Sequence, residues 1–262
     1  MMLSPLKQEV KESEAISLIY ISIPFCKYLC HFCTFARQFG KELFHIQKLK
    51  TRYLQTIKKE LAVKSATATA KHKVDLKGIH FGGGTPSLLE VEDFAGILSA
   101  IEELFHQDVR KIQEVGLEAN PDSLTLEKLR GLKSLGFNRI SMGLQTFNPD
   151  ILKRINRQHS VEQFYQAYEW ARQAGFENIN IDLIYGIPEQ TFADVEKDLE
   201  TVVNLDPDHI APSPLLPVQS PLFRIGPDEE LKRKTMTREW APHVDRFLRD
   251  KGYANYLHKN YA

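Results

Sequence analysis

The sequence is poor in cysteine, has no excess of charge of either sign and has no long apolar run. Its 34 Lys and Arg residues balance its 34 Asp and Glu residues, so the formal net charge is zero. A protein that binds the phosphate backbone of nucleic acids needs a basic surface, which makes nucleic acid an unexpected main partner.

No uncharged apolar run approaches the roughly 18 residues of a membrane helix. The start, MMLSPLKQEVKESE, lacks the apolar core of a secretory signal. We therefore expect a cytoplasmic protein with no membrane span.

The composition is that of a folded globular protein. The chain has 262 residues, of which 42% are hydrophobic and 26% are charged, and these are ordinary values for such proteins. At roughly 150 residues per domain, this length predicts one large domain or one domain with a partial second.

All three cysteines, Cys26, Cys30 and Cys33, lie in one short segment. An odd number of cysteines cannot form a disulfide framework without leaving a thiol over, so a reducing compartment and a metal site are favoured. A closed zinc site or a fully protected [4Fe-4S] cluster takes four protein ligands, whereas three leave one metal position open. Two alternatives stay open: reduced cysteines that pack as small hydrophobic side chains, and a zinc site completed by His31 or His45.

Predicted strands and helices alternate along the chain. The predicted strands are ISLIYISIP, LKGIHF, EVGLEA, NRISMGL, NINIDLI and DHIAP. The predicted helices cover about 44–64, 90–105, 125–135, 149–155, 161–174 and 191–204. Strands separated by helices indicate right-handed crossovers and a parallel sheet, either doubly wound or closed into an incomplete barrel.

The remaining segments are predicted to be less regular. These are a polar tail over 1–13, a loop at SATATAKHK, and an irregular proline-rich and charged stretch over 212–236. A last helix over about 238–251 would precede one more edge strand in GYANYLHKNYA.

Polar residues and glycines follow the ends of the predicted strands. The first strand runs into the cysteine segment and the second into GGGTP, while Glu118, Gln145 and Asp182 end or follow later strands. Ligands of parallel α/β proteins bind at the carboxyl ends of the strands. We therefore expect these groups to form one pocket for a polar small molecule.

At these motifs the sequence resembles the radical S-adenosylmethionine (radical SAM) enzymes. The CxxxCxxC pattern follows a first strand, and YISIPFCKYLCHFC, FGGGTPSLL, LEANPDSL, RISMGLQTF, INRQH and NIDLIYGIPEQT occur in order. Together they are similar to the HemN and HemW group, which comprises oxygen-independent coproporphyrinogen oxidases and their haem-chaperone relatives. The resemblance implies an α/β incomplete (β/α)6 parallel barrel, with a radical SAM core over 14–212. The segment 213–262 is then expected to lead towards a further, missing C-terminal domain.

The resemblance also implies a role for each candidate residue. Cys26, Cys30 and Cys33 would hold a [4Fe-4S] cluster, whose open iron takes S-adenosylmethionine as a ligand. The residues that match family positions near S-adenosylmethionine are Tyr20, Phe32, Gly83, Gly84, Thr85, Glu118, Gln145, Arg157 and Asp182.

The chain departs from the oxidase pattern in ways that leave its substrate open. Phe35 stands where the oxidases carry a fourth cysteine, and Ser22 where many relatives have histidine. The expected function is that of a HemW-like protein of haem metabolism, with haem or a haem-accepting protein and a flavodoxin- or ferredoxin-type reductant as partners. Reductive cleavage of S-adenosylmethionine is expected and coproporphyrinogen oxidation is not. The alternatives are a methyltransferase, a haem-degrading enzyme, an oxidase, and a module that only binds the cluster and S-adenosylmethionine.

Overall fold

The secondary structure follows the predicted alternation of strands and helices. The computed structural model describes residues 16–35, 38–39, 43–71, 74–215 and 227–262. The strands are β1 (Ile16–Ile23), β2 (Phe25–Cys26), β3 (Gln38–Phe39), β4 (Val74–Gly83), β5 (Glu114–Ala119), β6 (Arg139–Gln145), β7 (Asn178–Tyr185), β8 (His209–Pro214), β9 (Asn255–Leu257) and β10 (Asn260–Tyr261). The helices are α1 (Leu43–Lys71), α2 (Val91–Phe105), α3 (Leu126–Ser134), α4 (Pro149–Arg154), α5 (Val161–Gln173), α6 (Phe192–Asn204) and α7 (Pro227–Asp250).

Six parallel strands form the body of one curled sheet. They lie in the order β1-β4-β5-β6-β7-β8, and every neighbouring pair among them is parallel. Each crossover between two of these strands contains at least one helix. The short β10 pairs antiparallel with β8, and β9 pairs antiparallel with β10. The predicted α/β fold with an incomplete parallel barrel is confirmed.

The two faces of the sheet differ in composition because side chains alternate along each strand. The outer face carries the core: Ile79 and Phe81 of β4 and Leu117 of β5 are at most 1% exposed. Phe81 contacts Phe94 of α2 with ring centres 5.2 Å apart. The residues that alternate with these apolar ones along the strands lie on the inner face, and they are small or polar. The polar inner face leaves room for a ligand inside the curled sheet.

The predicted loop SATATAKHK is wrong over residues 65–71, because α1 continues to Lys71. Alanine favours helix, and the hydroxyls of this stretch bond within the helix. Thr67 and Thr69 donate to the carbonyls of Val63 and Ser65, four residues earlier, at 3.0 and 2.8 Å. Residues 72–73 lie outside the described residues.

The end of the chain also differs from the prediction. Helix α7 begins at Pro227 rather than at 238, because proline is tolerated in the first turn of a helix and Glu, Leu, Lys and Arg favour helix. The predicted single edge strand is a hairpin of β9 and β10, and His258 between them adopts a φ of 46°. Residues 216–226 and the predicted tail 1–13 lie outside the described residues, and the division at 212 stays a prediction.

Among the helices that the structure describes, none is both long and apolar enough to cross a membrane.

Candidate functional site

The three cysteines lie in the loop that follows β1, at the carboxyl end of the sheet. Cys26 is 7% exposed in β2, and Cys30 and Cys33 are half-buried. The hydroxyl of Thr85 lies 3.6 Å from the sulfur of Cys26, and Nη1 of Arg157 lies 3.6 Å from the sulfur of Cys30. Donors directed at sulfur stabilise the thiolate, which is the form of cysteine that binds metals.

Neighbouring loops hold the cysteine loop on both sides. On one side, the Tyr28 hydroxyl donates to Oδ1 of Asp122 at 3.2 Å, and Lys27 lies 3.3 Å from Oδ2 of the same carboxylate. On the other side, the amide of His31 donates to the carbonyl of Ile155 at 3.0 Å. Nδ2 of Asn156 donates to the carbonyl of Leu29 at 2.7 Å. The positions of the cysteines are therefore fixed by the ends of β5 and α4.

The alternative to a cluster is a zinc site in which His31 or His45 is the fourth ligand. Nδ1 of His31 donates to the carbonyl of Arg154 at 2.8 Å, so this nitrogen is already used. The side chain of His45 lies outside the described part of the chain. Within the described part, no three His, Cys, Asp or Glu side chains are already arranged around a single metal position.

The glycine loop after β4 packs directly against the cysteine loop. The amides of Gly84 and Thr85 donate to the carbonyls of Ile23 and Phe25, each at 2.8 Å. A Cβ on Gly84 would lie 2.7 Å from both carbonyl oxygens, which is too close for any larger residue. At Gly84 the absence of a side chain thus makes room for the chain's own backbone.

Two carboxylates face the cleft from β5 and β7, the strands on either side of β6. Asp182 accepts hydrogen bonds from Nδ2 of Asn180 at 2.7 Å and from the hydroxyl of Ser141 at 3.2 Å. Burial raises the pKa of Asp182 to about 6 despite these bonds. Glu118 accepts from the amide of Gly83 at 3.1 Å. Both side chains are thus held in defined orientations towards the cleft.

Arg157 and Gln145 complete the cleft wall. Arg157 is 7% exposed, and its Nη2 donates to the carbonyl of Gly143. Its guanidinium lies 5.9 Å from the ring centre of Tyr28, and its buried Nε has no hydrogen-bond partner among the described residues. Gln145 has a φ of 83°, and the register between β6 and β7 shifts just before it. A non-glycine residue with such a φ is uncommon, and at Gln145 it turns the chain out of β6 at the wall of the cleft.

One cleft of about 140 Å³ brings the predicted residues together. Eleven of the twelve predicted site residues line it: Cys26, Phe32, Cys30, Cys33, Gly83, Gly84, Thr85, Glu118, Gln145, Arg157 and Asp182. Tyr20 does not; its side chain is half exposed on the inner face of β1. Tyr28, Ser141 and Gly143 also line the cleft but were not singled out in the sequence. Side chains alternate with a period of two along β6, so Ser141 and Gly143 are expected on the same face as Gln145. This alternation is the sequence signal that identifies them as candidate site residues.

Comparison with known proteins identifies the family. The sequence pattern of the radical SAM superfamily matches residues 20–202. The chain belongs to the radical SAM superfamily.

The relatives of this radical SAM chain include both a haem chaperone and oxidases. It is 38% identical over 191 residues to the heme chaperone HemW of Bacillus subtilis, covering 72% of this chain and 48% of the relative. It is 36% identical over 194 residues to the oxygen-independent coproporphyrinogen III oxidase of Helicobacter pylori strain J99, covering 74% of this chain and 41% of the relative. The chain spans less than half the length of these curated relatives.

A solved relative supports the same assignment. The structure of coproporphyrinogen III oxidase HemN from Escherichia coli matches with a TM-score of 0.77 and 28% identity, over 95% of this chain and 56% of that one. Methylornithine synthase matches with a TM-score of 0.55 at 14% identity, which shows the shared fold alone.

The residues of the cleft fit the groups that a radical SAM protein carries. Three cysteines line one cleft, and three thiolate ligands suit a metal cluster with one open position. The unpartnered Nε of Arg157 and the oriented carboxylates Glu118 and Asp182 suit a ligand with both an acidic and a basic group. S-adenosylmethionine has both.

Proposed function

We propose that this chain binds a [4Fe-4S] cluster through Cys26, Cys30 and Cys33 and binds S-adenosylmethionine on the adjoining cleft. The observation that supports this proposal best is the convergence of eleven predicted residues, from the four strands β4 to β7 and from three loops, on one cleft. A bound cluster would supply the electron-transfer chemistry for the reductive cleavage of S-adenosylmethionine.

The chain's own residues would bind and orient the small molecule. Arg157 would pair with its carboxylate, while Glu118 and Asp182 would accept hydrogen bonds from its amino or hydroxyl groups. Phe32 packs against an apolar cluster of Ile151, Ile155, Ile184, Ile187 and Leu215 beside the cleft. That apolar wall would limit the access of water to the reacting groups.

Within haem metabolism, the proposed activity is of the HemW type, a haem chaperone rather than an oxidase. Two relatives at 38% identity are named HemW, and Phe35 replaces the extra cysteine of the oxidases with a side chain that is 60% exposed. The proposed partners are haem or a haem-accepting protein and a flavodoxin- or ferredoxin-type reductant. Coproporphyrinogen oxidation is the second candidate function, since relatives at 33–36% identity are named oxygen-independent coproporphyrinogen III oxidase.

Anaerobic reconstitution tests the cluster. We expect about four irons and four sulfides per chain in the parent protein and loss of the cluster in Cys26→Ala, Cys30→Ala and Cys33→Ala, because the sequence offers no other thiolate. Phe35→Ala is the matched control in the same segment and should keep the cluster. Stoichiometric zinc without iron after anaerobic purification would contradict the proposal.

Two further measurements separate the candidate activities. Release of 5′-deoxyadenosine with a reductant would distinguish an enzyme from a module that only binds its cofactors. Titration with haem, followed in the Soret region, tests the chaperone assignment. Absence of haem binding together with conversion of coproporphyrinogen would favour the oxidase.

A further inference from the structure

Three side chains converge on the inner face of the sheet beside the cleft. Tyr20 on β1 and His80 on β4 are direct neighbours in the strand pairing. Their rings stack with centres 5.7 Å apart and planes 19° apart. Nε2 of His80 donates to Oε1 of Glu118 on β5 at 3.3 Å. The array thus connects an exposed tyrosine to one of the two carboxylates of the cleft.

Two glycines leave space on the inner face for these three side chains. A Cβ on Gly116, opposite His80 in the pairing of β4 with β5, would lie 2.9 Å from Nδ1 of His80. A Cβ on Gly82 would lie 2.5 Å from the Tyr20 hydroxyl and 2.7 Å from Oε1 of Glu118. Any other residue at Gly116 or Gly82 would displace a member of the array, so the glycines permit this arrangement.

The two oxygens of Glu118 have separate donors. The amide of Gly83 holds Oε2 at 3.1 Å, and His80 holds Oε1 at 3.3 Å. A carboxylate bonded at one oxygen alone can rotate about its last torsion, whereas two donors fix its plane. His80 is therefore the group that sets the orientation of Glu118 towards the cleft.

We propose that His80 is a positioning residue of the S-adenosylmethionine site and acts through its hydrogen bond to Glu118. This inference rests on the proposed function, because it assumes that the cleft binds S-adenosylmethionine. Tyr20 would support His80 by stacking, which gives it an indirect role in the site although it does not line the cleft.

Two substitutions separate the hydrogen bond from the packing of the ring. His80→Phe keeps an aromatic ring for stacking on Tyr20 over Gly116 but removes the donor. His80→Gln keeps an amide donor near the place of Nε2 but removes the ring. Lys77→Ala is the matched control on the same strand, since Lys77 is exposed and pairs with Asp75.

The test is the equilibrium dissociation constant for S-adenosylmethionine, measured on anaerobically reconstituted protein together with iron content and melting temperature. We expect His80→Phe to weaken binding about ten-fold with iron content unchanged. His80→Gln should stay within about three-fold of the parent, and Lys77→Ala should match it. Rescue by glutamine would not follow from a purely structural role of the ring.

Each outcome decides the inference. Parent-like binding by His80→Phe would overturn it, and so would equal losses in the phenylalanine and glutamine variants. If His80→Phe unfolds or loses iron, His80→Leu, which also lacks the donor, takes its place. In the background without the donor, Glu118→Ala should weaken binding by a smaller factor than it does in the parent, because the bond through which His80 acts on Glu118 is already lost. Equal factors in the two backgrounds would overturn the inference. No binding of S-adenosylmethionine by the parent protein would instead overturn the proposed function.

Discussion

Asp198 on α6 is a buried carboxylate that holds the loop after Gln145. It is 4% exposed, and its Oδ1 accepts from the amide of Phe147 at 2.7 Å. Burial raises its pKa to about 6 from the ordinary value of 3.8, with Asp194 adding to the rise and the bond from Phe147 opposing it. We expect Asp198→Asn to stabilise the protein at neutral pH, because the amide keeps an acceptor for Phe147 and removes a buried charge.

The size of this effect follows from the pKa. A carboxyl whose pKa is higher in the folded than in the unfolded state contributes stability below its unfolded pKa, and loses that contribution as the pH rises through its folded pKa. A rise of about two units corresponds to about 3 kcal/mol. Relative to Asp198→Asn, the parent protein should therefore lose up to about 3 kcal/mol of unfolding free energy between pH 4 and pH 7.

The assay is urea unfolding of both proteins at several pH values over this range. Because the comparison is a difference between variant and parent, the titration of Asp182, which has a similar pKa, cancels. Asp198→Ala also removes the charge but leaves the buried amide of Phe147 without an acceptor, so it should be about 1–3 kcal/mol less stable than Asp198→Asn. A pH-independent difference between the parent and Asp198→Asn would refute the reasoning.

Three further predictions concern the cleft. Asp182→Ala and Glu118→Ala should each weaken S-adenosylmethionine binding about ten-fold or more and leave the iron content unchanged. Unchanged affinity in both variants would mean that the family positions are assigned to the wrong residues. Gly84→Ala should lower both cluster content and melting temperature, because its Cβ would meet two carbonyl oxygens at 2.7 Å, whereas Gly96→Ala in α2, which meets only the flexible end of Lys58, should lower neither. Anaerobic incubation with coproporphyrinogen, S-adenosylmethionine and reductant should give no protoporphyrinogen at enzymatic turnover, and its appearance would restore the oxidase reading.

The parallel sheet could be predicted because each of its strands has a local pattern. Residues such as Ile79, Phe81 and Leu117 are apolar and spaced by two, and helices separate the strands. Once a parallel sheet is predicted, the carboxyl ends of its strands must share an edge. The gathering of Glu118, Gln145 and Asp182 therefore follows from the order of the strands.

The end of α1 and the start of α7 could not be predicted, because the composition of both segments is typical of loops. Ser65, Thr67 and Thr69 are typical of loops, yet their hydroxyls bond to carbonyls of the preceding turn. At α7 the many charged residues suggested an irregular segment, although most of them favour helix. In both places the local preference for helix extended the element beyond the point that the loop-like composition suggested.

The contacts that orient the site are invisible to local reasoning because they join distant parts of the chain. Tyr28 and Asp122 are 94 positions apart, Arg157 and Cys30 are 127 apart, and His80 and Glu118 are 38 apart. The types of residue in the motifs identify the chemistry, but only the strand register decides which donor meets which acceptor. A one-residue slip between β4 and β5 would turn Glu118 to the outer face of the sheet. The hydrophobic core on that outer face, which fixes the register, thereby also fixes the orientation of the cleft.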